Sequence, residues 1–184
     1  MKSNLSAAEK TAVVVNGIRF CGIATGIVEE MVFRGVIMGL FEKRYCIWAA
    51  VIVPSFLFGL LHVFSNGIFS PLEKAQLVLA GTVAGILFSL IGYYYDSSWN
   101  NTLVHAFWNA SVISGIIRIG TEPHKNAAYT YVLKSKLPLI TGGTFGIETS
   151  AISIAAYSLF IGMLGLMLRK KKQAVKRENW QINQ

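Results

Sequence analysis

Apolar residues run almost unbroken through five stretches of the chain, roughly 11–41, 46–66, 72–95, 99–119 and 147–168, with polar clusters between them. A helix needs about 20 mainly apolar residues to cross a bilayer, so each stretch predicts a membrane span. The expected fold is all-α, a polytopic membrane helix bundle of about five transmembrane helices. At about 1.5 Å per residue the first stretch would reach about 46 Å. It must therefore tilt, protrude or break, with Asn16, Gly17 and Gly22 as break points. The connections "EKRY", "SNGIFSP" and "DSS" are short, which forces neighbouring helices to run antiparallel. One long polar loop, 120–146, carries "TEPHKN" and "TGGTFG" at its ends. No internal repeat is visible. The chain reads as one integral-membrane domain: a core over 12–119, the loop, a last helix over 147–168 and a tail over 169–184.

Composition agrees with this pattern. Of 184 residues, 53% are hydrophobic and 14% charged, against about 25% charged in soluble domains. The net charge of +8 does not point to nucleic acid, because six of the seventeen basic residues sit in Arg169–Arg177, directly after an apolar run. A basic cluster there suits anionic lipid headgroups and places the C-terminus in the cytoplasm, at the cell membrane. Five spans then put the N-terminus outside. Cys21 and Cys46 lack CxxC spacing and read as packing residues, not a disulfide or metal clip. Gly22/Gly26, Gly35/Gly39 and Gly81/Gly85 have the spacing that lets membrane helices approach closely.

Ionisable groups inside apolar spans are costly and mark function or a buried pair. The first span holds Glu29, Glu30 and Arg34; the second ends on His62; the fourth holds His105 and Asn109. Glu30 and Arg34 stand four apart with the acid first, the favourable order for an ion pair on one helix face. Glu29 projects about 100° away and is left without a cation, suited to proton transfer. His105 and Asn109 share a face, as do Phe58 and His62. The predicted picture is one carboxylate, two imidazoles and an amide around a common cavity. A simple antiparallel bundle would nonetheless set His62 and His105 about 10–15 Å apart in depth. Strong tilt, or a break between Ser65 and Pro71, would have to close that gap. His124, in the polar loop after Pro123, reads as an ordinary loop residue.

Glu29-Glu30-xxx-Arg34, Phe58-xxx-His62 and His105-xxx-Asn109, in that order and on hydrophobic helices, resemble the three motifs of the CAAX prenyl protease and bacteriocin-processing (CPBP or Abi) family of intramembrane endopeptidases. The resemblance covers residues 28 to about 110 and implies peptide-bond hydrolysis inside the membrane. It implies that Glu29 and His62 activate the attacking water, and that His105 and Asn109 donate to the oxyanion. Glu30, Arg34 and Phe58 would support the site. The substrate it implies is a bacteriocin or pheromone precursor, or a prenylated peptide, and no cofactor is needed. Glu29, His62 and His105 are also a possible zinc set with an open position for water, although no HExxH is present. The competing reading from another class is a non-catalytic immunity protein that binds a toxin or its receptor, with the polar cluster as structural glue.

Overall fold

The computed structural model describes residues 5–65 and 70–182; the expected break between Ser65 and Pro71 falls on residues mostly outside that description. The apolar stretches fold as helices, as their pattern predicts. α1 spans Ala7–Arg44, α2 spans Ile47–Ser65, and α3 spans Pro71–Tyr95. α4 spans Ser98–Trp108 and continues through a widened turn over Asn109–Ile113. Two short parallel strands follow, β1 over Ile117–Gly120 and β2 over Tyr129–Val132. After them come the single turn α5 over Pro138–Thr141, a 3₁₀ turn over Ile147–Thr149, and α6 over Ala151–Ile182.

Three expectations of the sequence are modified. The overlong first helix does not break at Asn16, Gly17 or Gly22. It absorbs its length as one 38-residue helix with two π-helical stretches, Gly17–Ala24 and Met31–Ile37. Such widened turns shift the phase of a helix and favour functional sites, and the second begins directly after Glu30. The fourth helix stops at Ile113, not 119, because Gly115 adopts a φ of +83° that only glycine takes easily. Among the described residues four helices, α1, α2, α3 and α6, are therefore long and apolar enough to cross a membrane; α4 runs alongside them but is shorter. Finally, the last helix does not end at 168 but continues through the basic segment to Ile182.

Small residues set the helix spacing. A methyl group at Gly81 would stand 2.6 Å from the Gly59 Cα, and one at Gly85 would stand 2.8 Å from the Ser55 Cβ. These contacts clamp α3 antiparallel to α2. Gly22 and Gly26 meet Ala110 and Ala106 of α4 in the same manner, at 2.9 and 3.1 Å. Gly35 and Gly39 make no such contact, so that third spacing is not a packing motif. Large apolar side chains face outward: Phe20, Met31, Leu61, Phe107 and Leu159 are all more than half exposed. A surface that apolar is costly in water and favourable in lipid. The interior instead holds Leu87, Phe88, Ile91 and Tyr157, with Trp108 packed against them.

Candidate active site

Glu30 is the largest fully buried side chain among the described residues, and its charge is answered on both oxygens. Arg34 Nη1 donates to its Oε1 at 2.8 Å, the ion pair expected from their spacing. His105 Nδ1 lies 2.7 Å from the same oxygen, and Asn101 Nδ2 donates to Oε2. Arg34 in turn donates through Nη2 to the Gly85 carbonyl at 3.0 Å. A side chain at Gly85 would come within 3.1 Å of that nitrogen, so the close α2–α3 approach also admits the guanidinium. The Arg34 guanidinium lies 4.9 Å from the Phe58 ring centroid and 5.4 Å from that of Phe88. Aromatic faces there replace lost hydration.

His105 is the hinge between this network and the remaining motif residues. It is buried, stacked on Phe88 at 4.5 Å, with Nδ1 on Glu30 and Nε2 3.4 Å from Glu29 Oε2. A carboxylate only accepts, so Nδ1 carries a proton. Glu29 therefore has a partner that its spacing did not predict: the imidazole of another helix. His62 Nδ1 lies 2.7 Å from the Phe58 carbonyl oxygen. That oxygen also only accepts, so His62 Nδ1 is the donor of this pair. The Phe58 ring bridges the histidines, 4.6 Å from His62 and 5.6 Å from His105. One aromatic ring thus spans the expected separation between the two histidines. His62, His105 and Asn109 line one cavity whose walls include Phe58, Phe88 and Trp108. Glu29 reaches the site through His105 and does not line that cavity. His124 is exposed in the loop.

Two residues of this site escaped the sequence reading. Asn101 stands four before His105, which stands four before Asn109, so one face of α4 carries all three; extending the four-residue step backwards would have found it. Glu148 lines the same cavity from the 3₁₀ turn. It is 5% exposed, and burial pushes its carboxyl up to about 7, with Arg118 drawing it partly back. It lay within the predicted fifth span, where the rule applied to Glu29 would have flagged it.

A metal was the alternative for Glu29, His62 and His105. Both imidazoles have Nδ1 held by an acceptor, as metal-ligating histidines do. Yet among the described residues no group of three or more His, Cys, Asp or Glu is arranged to hold an ion. Glu29 instead closes directly on His105. Cys21 and Cys46 are free thiols and add no ligand.

Helices long and apolar enough to cross a membrane thus surround a carboxylate–imidazole–amide cluster. The model of the type II CAAX prenyl endopeptidase Rce1-like family matches residues 12–111. That is more than half of the chain and contains all three motifs, so the protein belongs to this family of CAAX-type intramembrane endopeptidases. No curated protein and no solved structure matches the chain.

Proposed function

We propose that this chain hydrolyses a peptide bond in a small or lipidated peptide, using water activated by Glu29 and His62 and an oxyanion pocket of His105 and Asn109. The observation that carries this reading is the placement of His105 between two carboxylates. His105 Nε2 lies 3.4 Å from Glu29 Oε2 while its Nδ1 lies 2.7 Å from Glu30 Oε1. Water entering there meets a carboxylate that can take its proton as the oxygen attacks the scissile carbonyl carbon. The C–O bond forms, the carbonyl becomes an oxyanion, and His105 Nε2–H and Asn109 Nδ2–H stabilise it. Collapse breaks the C–N bond, and the proton taken from water passes to the leaving amine. We assign the relay of that proton to His62, which lines the cavity beside His105 and Asn109. Glu30 and Arg34 hold His105 in orientation and touch no substrate.

The family acts on prenylated CAAX-type peptides, and the aromatic cavity suits an apolar chain, so a prenylated peptide within membrane lipid is the substrate favoured. A bacteriocin precursor rests on analogy alone. This mechanism needs no cofactor; a zinc-dependent version would be revealed by a strong chelator that stops turnover and Zn²⁺ that restores it. A farnesylated CAAX-type reporter incubated with the purified protein tests the proposal. Cleavage by the wild type and its loss in Glu29→Gln are expected. A non-catalytic immunity function would instead survive that nearly isosteric change.

We place the C-terminus in the cytoplasm. Lys171 Nζ donates to the Tyr94 carbonyl at 2.7 Å, so the basic end of α6 emerges beside the end of α3. The antiparallel α2 brings the Lys43–Arg44 turn to that same end. Cys46, exposed beside this turn, should resist a membrane-impermeant thiol reagent on intact cells and react in inverted vesicles. The opposite labelling pattern reverses the topology.

A further inference from the structure

The cavity lined by His62, His105 and Asn109 is also lined by a carboxylate with no assigned role, Glu148. Glu148 Oε1 is buried and has no hydrogen-bond partner among the described residues. Its nearest cation, Arg118 Nη1, stands 3.6 Å away, too far for a hydrogen bond. Arg118 is itself engaged, donating through Nη2 to the Thr144 carbonyl at 2.9 Å. A buried acceptor left open is a standing cost that a ligand donor can relieve.

The surroundings hold this group rigidly. Gly146 has a φ of +129°, and a side chain there would stand 2.6 Å from Glu148 Oε2, so the carboxylate occupies the space that glycine leaves. Thr149 Oγ1 donates to the Gly142 carbonyl at 2.9 Å and Gln76 Nε2 to the Pro138 carbonyl at 3.0 Å. Tyr157 OH donates to the Glu148 carbonyl at 3.3 Å. The charged and titratable groups around it are few. Arg118 comes from β1 and Tyr157 from α6. His62 and His105 line the same cavity from α2 and α4, and Glu73 on α3 is taken up by Ser70 and Thr144.

Arg118 already supplies one positive charge, so a second cation would be repelled, whereas a neutral N–H donor fits. We propose that Glu148 is a substrate-positioning residue that accepts a hydrogen bond from a main-chain N–H of the bound peptide, holding it against the His105–Asn109 wall. This rests on the endopeptidase reading above, because the same cavity must receive the peptide. Because burial leaves the carboxyl titrating near 7, its acceptor strength falls as pH drops through that value.

The test measures binding, not turnover. In the Glu29→Gln protein, a farnesylated CAAX-type peptide is titrated, alongside versions methylated at one backbone amide each. Glu148→Ala should weaken the parent peptide about 10- to 100-fold, the worth of one hydrogen bond to a charged group. One methylated version should lose a similar factor, and that loss should vanish in Glu148→Ala. Glu148→Gln keeps an acceptor oxygen; its affinity should fall less and stay flat between pH 5.5 and 8, where the parent weakens towards acid. Unchanged affinity in Glu148→Ala, or no methylated position coupled to it, overturns the proposal. So does a fall in kcat at unchanged KM when Glu148→Gln is made in the active enzyme, which would mark a proton donor. Retained cleavage in Glu29→Gln refutes the peptidase mechanism but leaves these binding results to stand or fall separately, and failure of the probe to bind at all overturns both.

Discussion

Glu30 and Glu148 are the same residue at nearly the same burial, and the protein treats them oppositely. Glu30 receives Arg34, Asn101 and His105, whereas Glu148 has its own main-chain N–H and Arg118 at 3.6 Å, with Oε1 left without a hydrogen bond among the described residues. A charge that is fully answered becomes structure: it fixes α1 to α3 and α4 and aims His105. A charge that is left open has its neutral form favoured and remains available to a ligand. Position in the fold produces the difference. Glu30 sits where three helices converge through small residues, so donors on its own helix and on α4 can reach it. Glu148 sits on a glycine-flanked turn at the cavity wall, where one side is protein and the other is space.

The sharpest way to break this comparison is to remove one charge from each. Glu30→Gln leaves the Arg34 guanidinium buried without its partner, and about 3–5 kcal/mol of stability should be lost. Thermal unfolding in detergent would register this, and a Glu30→Gln protein as stable as the wild type would dissolve the distinction. Next in size is Asn109→Ala on the cavity side. It should lower kcat about 10²–10³-fold, as loss of one oxyanion donor does, with the unfolding temperature unchanged.

The smallest effect separates the two acids by pH. Glu148 prefers its neutral form in the folded protein, so the folded state pays increasingly for ionisation as pH rises from about 4.5 to about 7. Above that window the penalty is about 3 kcal/mol. Glu148→Gln should therefore raise the unfolding temperature at pH 8 and leave it unaltered near pH 4.5. A gain that is equal at both pH values would mean that burial, not ionisation, governs this residue.

The fold was legible in the sequence wherever hydrophobic runs exceeded the bilayer thickness, because the cost of unsatisfied backbone in lipid permits only helix there. The pairing of Glu30 with Arg34 was legible for a similar reason: the helix itself fixes a four-residue step. Contacts between helices were not. Glu29 was read as lacking a partner because its neighbour, His105, is brought by packing of Gly22 and Gly26 on Ala106 and Ala110, which no local pattern specifies. That His62 and His105 would meet the same Phe58 ring and line one cavity was likewise not specified by any local pattern. The π-helical stretches of α1 and the early stop of α4 at Gly115 lie below the resolution of hydropathy. Glu148 was hidden by assigning 147–168 to a single span; the turn that lifts it out of the helix depends on glycine conformations at 142, 143 and 146.

The account stands most directly on mass spectrometry of a farnesylated CAAX-type reporter exposed to purified wild type and Glu29→Gln, each with and without a strong chelator. It predicts a single new C-terminus from the wild type under both conditions and none from the variant. Cleavage by Glu29→Gln at an undiminished rate, or chelator-sensitive cleavage restored by Zn²⁺, would contradict it.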